Sequence, residues 1–121
     1  MFAGIDAGFN TLIRPTLYGS YHHIIVCDER EKKKNSKYDI VGPICESGDV
    51  FGKDRVLPEL SEGDYLAILD AGAYGFTMSS SYNSRPRPAE ILINDGNTFK
   101  IREEETYDDL LRNQIVPDYL K

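Results

Sequence analysis

Three polar clusters in this sequence carry side chains of the kind that do chemistry. In Gly42-Pro43-Ile44-Cys45-Glu46-Ser47-Gly48-Asp49 a thiol stands beside a carboxylate, bracketed by turn formers. A tight turn after a strand exposes such side chains instead of burying them. A lone cysteine is more often a small buried hydrophobe. Cys27, at the end of the apolar run Ile24-Ile25-Val26-Cys27, fits that description, whereas Cys45, followed by Glu46, Ser47, Gly48 and Asp49, does not. In Ile13-Arg14-Pro15-Thr16-Leu17-Tyr18, Arg14 and Tyr18 are four residues apart, so on a helical turn they share a face and could hold one anion together. That spacing by itself suits two surface residues equally well. In Asp70-Ala71-Gly72-Ala73-Tyr74-Gly75-Phe76, small residues surround a tyrosine at the end of an apolar strand. They would let a ligand approach the backbone, or simply pack a tight turn.

The elements that must position these clusters are short. Glycine and proline interrupt the chain often, and the apolar runs at 24–27, 40–41, 56–57, 65–69 and 91–93 are bounded by turn formers. This spacing predicts a mainly β fold, a small antiparallel barrel or sandwich with two or three short helices. Asp95-Gly96 predicts a hairpin between 91–93 and 99–101, and residues 58–64 predict a turn feeding the strand at Tyr65. Pro15 suits a first helical position and Gly19 a helix stop, while 73–82 reads as a brief helix of small residues. Thr106 is a candidate N-cap for a C-terminal helix with Asp108 and Asp109 in its first turn, Arg112 towards its end and Pro117 as its stop. Leu110, Leu111 and Ile115 would form that helix's buried stripe. The charged segment 29–37 reads as a solvated hairpin tip.

A length of 121 residues suits one domain with a core of its own. The net charge of −6 disfavours a nucleic-acid partner, because a phosphate backbone requires a basic stripe. No apolar run approaches the roughly 20 residues that span a bilayer, and Met-Phe-Ala-Gly-Ile-Asp has no basic leader region, so neither membrane insertion nor secretion is expected. Two cysteines are too few for a disulfide framework and read as reduced thiols in a cytoplasmic protein. No metal site is expected.

Taken in order, the clusters resemble one family. Ile13-Arg14-Pro15 with Tyr18 and Tyr21-His22-His23, then Gly42-Pro43-Ile44-Cys45-Glu46-Ser47-Gly48-Asp49, then Asp70-Ala71-Gly72-Ala73-Tyr74-Gly75, then Tyr82-Asn83-Ser84-Arg85-Pro86-Arg87-Pro88-Ala89-Glu90 resemble the C-terminal domain of the diaminopimelate decarboxylases. The ending Arg102-Glu103-Glu104-Glu105-Thr106-Tyr107-Asp108-Asp109-Leu110-Leu111 is similar as well. These belong to the fold-type III, pyridoxal-phosphate-dependent ornithine–diaminopimelate–arginine decarboxylases, whose C-terminal domain is a β-domain like that of other alanine-racemase-like decarboxylases.

The resemblance implies that residues 1–121 are a single C-terminal β-domain, with the N-terminal (β/α) barrel outside this chain. It implies the reaction of meso-2,6-diaminopimelate to L-lysine and carbon dioxide, in lysine biosynthesis, with pyridoxal 5'-phosphate held mainly by the barrel. Cys45 would be the proton donor to the carbon that loses carbon dioxide; a thiol is mostly protonated at neutral pH yet yields its proton readily. Glu46 would hold the substrate's distal ammonium, Arg14 and Tyr18 its distal carboxylate, and Tyr74 the substrate and the cofactor phosphate. Relatives that act on ornithine or arginine have no distal carboxylate, so Arg14 and Tyr18 beside Glu46 favour diaminopimelate. The family builds its site at a homodimer interface, so Cys45 and Glu46 would serve one cofactor and Arg14, Tyr18 and Tyr74 of the same chain the other. None of the seven lysines lies in an apolar setting suited to anchoring the cofactor, so the chain is expected to be inactive alone. Without the barrel, an unpaired sheet edge and an apolar face would favour self-association.

Two other readings stay open. A decarboxylase-like β-domain could act as a non-catalytic binding or dimerisation module, although such a module would be expected to lose site residues that are present here. Cys45 could serve a cysteine hydrolase with His22 or His23, although no orienting Asn or Asp pattern and no oxyanion loop accompanies them.

Overall fold

Alternation of apolar and polar residues fixes where the strands face, and turn residues fix where they stop. The structure, a computed structural model, describes residues 1–27 and 34–120. It divides into two compact units, Met1–Ser79 and Ser80–Lys121.

In the first unit β1 (Phe2–Gly4), β3 (Asn35–Val41) and β4 (Val50–Pro58) form one sheet in the order β1-β3-β4. β2 (Ile24–Val26) pairs with β5 (Leu66–Ile68) in a second, antiparallel sheet. On β3 the alternation buries Tyr38 and Ile40, and on β4 Phe51 and Leu57 turn inward. With Leu12 and Ile24 these make the core. The Tyr38 hydroxyl, carried to the core's edge by its ring, accepts the Leu60 N–H at 3.1 Å. β4 takes an extra residue near Asp54, whose φ of 54° is left-handed and whose N–H donates to Asp39 Oδ1 at 2.8 Å. Phe51 and Leu57 both face the core although Lys53, Asp54 and Val56 between them are exposed.

The fold is mainly β with short helices, as expected, but its details depart from the expectation in several places. The sheets do not close into a barrel, and β1 runs parallel to β3, with Phe2 opposite Asp39 and Gly4 opposite Val41. A pairing between segments more than thirty residues apart leaves no local signature. β2 ends at Val26, and Cys27 is exposed, not buried. The period of two explains this, since Ile24 points inward and Ile25 and Cys27 share the opposite face. The expected helix at 73–82 is a single turn, α2 (Gly72–Gly75), followed separately by a 3-10 turn at Tyr82–Ser84. Asn83 in that turn has a φ of 57°, which a continuous helix excludes. Of the charged segment, Asn35, Ser36 and Lys37 belong to β3, and residues 28–33 lie outside the described residues.

The second unit holds the hairpin β6 (Glu90–Asn94) and β7 (Asn97–Arg102) and the helix α3 (Tyr107–Leu111). Asp95 and Gly96, with φ of 48° and 76°, make the two-residue turn foreseen for them. Thr106 caps α3 in a capping box with Asp109, whose N–H reaches the threonine hydroxyl at 3.3 Å. Leu111 and Ile115 are exposed, so the expected buried stripe is absent. No described residue of this unit is fully buried; so short a piece encloses no core. The apolar residues Ile91, Ile93, Phe99 and Ile101 on the hairpin are exposed too. Among the described residues no helix is long and apolar enough to cross a membrane.

The strongest polar link in the second unit joins Arg87 to Glu105. The guanidinium Nε donates to Glu105 Oε1 at 2.8 Å and the Arg87 N–H to Oε2 at 3.0 Å. These bonds, the side-chain one first, hold the Glu105 carboxyl below the usual carboxylate range against a small opposing desolvation. A carboxyl depressed in the folded state stabilises above its unfolded pKa of about 4.3, and that contribution fades as pH falls through the depressed value. NMR titration of residues 87 and 105 from about pH 6 to pH 2 should therefore give a Glu105 midpoint below that of an ordinary glutamate. Glu105→Gln should remove this share of the acid-side loss of structure, and an ordinary midpoint would contradict the analysis.

Candidate active site

The first group of site residues depends on a five-residue helix. Pro15, at the start of α1 (Arg14–Tyr18), has its φ preset for a helix, and Gly19 ends it with a left-handed φ of 63°. The Gly19 N–H then donates to the Pro15 carbonyl at 3.0 Å. One turn is enough to place Arg14 and Tyr18 on one face. The Arg14 guanidinium carbon lies 5.6 Å from the centre of the Tyr18 ring and 4.6 Å from that of Tyr74. Tyr74 is delivered by α2, directly after Asp70, whose φ of 58° turns the chain out of β5. Three of the five expected site residues therefore meet, and both rings are more than half exposed.

Each ring face attracts the cation by about 0.5–1 kcal/mol at an exposed site. A cation–ring contact does not use the guanidinium N–H donors, which remain for an acceptor. Among the described residues no carboxylate pairs with Arg14. In an acidic chain, a cation gripped by two phenol rings and lacking an acidic partner is suited to receive a carboxylate or phosphate.

Cys45 and Glu46 occupy a different element, the turn from β3 to β4, and both are exposed. Cys45 is in no disulfide. The turn is shaped from below by Asp49, which is 3% exposed. Its Oδ2 accepts the Ile44 N–H and its Oδ1 the Phe9 N–H, each at 2.7 Å. Its backbone closes the turn, since Gly42 N–H donates to the Asp49 carbonyl and Asp49 N–H to the Glu46 carbonyl, both at 3.0 Å. Gly42 makes room for this carboxylate: a Cβ there would stand 2.3 Å from Oδ2. Asp49 lies within the motif, but an acid after Ser-Gly gives no sign in the sequence of being buried. Thr16 carries no sequence signal of its role, since its partner is 32 residues away. Its hydroxyl donates to the Gly48 carbonyl and so joins α1 to the turn.

The histidines do not support a hydrolase. His22 is buried, with Nδ1 2.9 Å from the Leu69 carbonyl oxygen, and His23 Nδ1 lies 3.4 Å from the Tyr21 hydroxyl. Among the described residues no group of three or more His, Cys, Asp or Glu is placed to hold a metal.

Asp49→Asn keeps the shape of the clamp but turns one acceptor into an NH2 group facing an N–H. A buried donor left without its acceptor costs about 1–3 kcal/mol. A thermal melt should show a midpoint lower by roughly 4 °C or more for a domain of this size, and an unchanged midpoint would refute the clamp.

Comparisons with known proteins identify the family of the chain. Residues 1–72 match the family model of the pyridoxal-dependent decarboxylase C-terminal sheet domain. The chain is 60% identical over 116 residues to diaminopimelate decarboxylase of Methanothermobacter thermautotrophicus, covering 96% of this chain and 27% of that protein. It is 52% identical over 119 residues to that of Archaeoglobus fulgidus, covering 98% and 28%. A crystal structure of diaminopimelate decarboxylase from M. jannaschii, 48% identical, superposes with a TM-score of 0.93 over 99% of this chain and 27% of that one. The chain thus spans about a quarter of the length of the curated relatives it matches. By its matched residues and its fold, this chain belongs to the pyridoxal-dependent decarboxylase family as a C-terminal sheet domain.

Proposed function

We propose that this chain is the C-terminal sheet domain of a diaminopimelate decarboxylase, which converts meso-2,6-diaminopimelate to L-lysine and carbon dioxide. The observation that carries this reading is the Arg14 guanidinium between Tyr18 and Tyr74. It is a receptor for a carboxylate, which diaminopimelate has at its distal end and ornithine and arginine lack. The relatives' names point the same way, and one solved M. jannaschii relative is a co-complex with L-lysine.

Pyridoxal phosphate needs a lysine to anchor it and donors for its phosphate. The described lysines, Lys34, Lys37, Lys53 and Lys100, are all exposed, so none suits the anchoring role. The exposed Tyr74 hydroxyl beside a cation does suit a phosphate oxygen. This domain's residues therefore fit a contributing part in cofactor binding, with the anchor supplied by a barrel domain. When bound, the cofactor supplies the electron sink for decarboxylation.

The chain's own residues do the rest. Arg14 and Tyr18 hold the distal carboxylate and select the substrate. Glu46 accepts hydrogen bonds from the distal ammonium. Cys45 Sγ–H delivers its proton to the substrate carbon from which carbon dioxide has left. In this reading two copies form a homodimer, with Cys45 and Glu46 of one chain serving one site and Arg14, Tyr18 and Tyr74 the other. The exposed apolar residues of β6 and β7 are surface for contact with the remainder of the enzyme. Two cysteines without a disulfide accord with a cytoplasmic location.

The chain alone, given cofactor and meso-diaminopimelate, should form no lysine above the rate of free cofactor. In a full-length decarboxylase carrying this domain, Cys45→Ala should lower kcat by about 10²–10⁴-fold with little change in KM. Arg14→Lys should act mainly on KM, because an ammonium cannot bind a carboxylate in two places. A Cys45→Ala enzyme with full kcat would overturn the proton-donor assignment.

A further inference from the structure

The side chains given tasks above stand on α1, on the short helix that carries Tyr74 and on the turn between β3 and β4. Asp49 holds only the base of that turn, through Ile44 and Phe9. The far end of the turn, at Gly48, is held by Thr16.

A threonine inside a helix usually turns its hydroxyl back to the carbonyl four residues earlier. The Thr16 hydroxyl instead donates to the Gly48 carbonyl, 32 residues away in sequence. That carbonyl also accepts the Val50 N–H at 2.7 Å, so it is oriented by the turn itself. The contact has a steric half as well. A Cβ on Gly48 would come within 2.7 Å of Thr16 Cγ2, so the helix seats against the turn where Gly48 leaves space. Serine would keep the hydroxyl and lose the methyl contact; valine would keep the shape and lose the bond.

We propose that Thr16 is a positioning residue: its hydroxyl locks the Cys45–Glu46 turn onto the helix that carries Arg14 and Tyr18. Its catalytic meaning rests on the reading of Cys45 and Glu46 given above, but the lock itself does not. Backbone amide exchange on this chain measures the lock directly. Thr16→Val should speed exchange at Asp49 and Val50 about tenfold, the scale of one lost hydrogen bond, while Cys27 and Leu69 at the β2–β5 pair stay unchanged. Thr16→Ser should restore the wild-type rates. Unchanged exchange at Asp49 and Val50, equal acceleration at Cys27 and Leu69, or a serine variant as fast as valine would each overturn the proposal.

The catalytic arm uses a full-length decarboxylase carrying this domain, with Thr16→Val and Cys45→Ala measured in parallel. Thr16→Val should lower kcat about tenfold and also raise KM, because Glu46 on the same turn holds the distal ammonium, and Thr16→Ser should restore both. Loss of kcat in Cys45→Ala but not in Thr16→Val would overturn the positioning role. Full kcat in Cys45→Ala would overturn the reading of Cys45 instead, and the exchange rates would still decide the lock.

Discussion

The carboxylate of Asp49 sits where two distant stretches of chain must meet. Burying a carboxylate is expensive unless hydrogen bonds replace its water, and here each oxygen receives a backbone N–H at 2.7 Å, from Phe9 and Ile44. The Phe9 stretch runs on into α1, and Ile44 opens the turn that shows Cys45 and Glu46 to solvent. One acid therefore ties both groups of site residues to the same point in the core. Glutamate would be too long for the space that Gly42 leaves, and asparagine offers one acceptor oxygen where Phe9 and Ile44 use two.

Among the described residues, some arginines pair with carboxylates and others lie over tyrosine rings. Arg87 and Arg102 are paired with Glu105 and Glu90. The Arg87 pair is partly shielded and ties the segment before β6 to the one before α3, whereas the half-exposed Arg102 pair is worth little in solvent. Arg14 instead lies over the Tyr18 and Tyr74 rings. A cation attracted to ring faces does not spend its N–H donors on them, so these stay available at small energetic cost.

What was legible in the sequence was local. The turn at Asp95-Gly96, the helix bounded by Pro15 and Gly19, and the Thr106 cap each depend on residues within a few positions of one another, where backbone sterics alone decide. The exposure of Cys45 was legible for the same reason, since its neighbours are turn formers. Cys27 misled because its neighbours are apolar, and only the phase of the β2 alternation shows that it faces outward. The parallel pairing of β1 with β3 and the bond from Thr16 to Gly48 join residues more than thirty positions apart, and no periodicity announces them. Leu111 and Ile115 look like a helix stripe, but α3 has only five residues and no described core beneath it.

These observations explain why the site residues stand on turns and single helical turns and not on the strands. A strand commits alternate side chains to the core, as β3 commits Tyr38 and Ile40, so it cannot present Cys45 and Glu46 side by side to a ligand. A turn can, but it is flexible unless something outside it fixes its shape. Asp49 fixes the entrance and Thr16 the exit, each through a backbone group of the turn. On the other side, the left-handed Asp70 directs Tyr74 toward Arg14 at a conformation that aspartate tolerates better than most residues. Rigidity is thus borrowed from the core through a few polar contacts to the backbone of the turn.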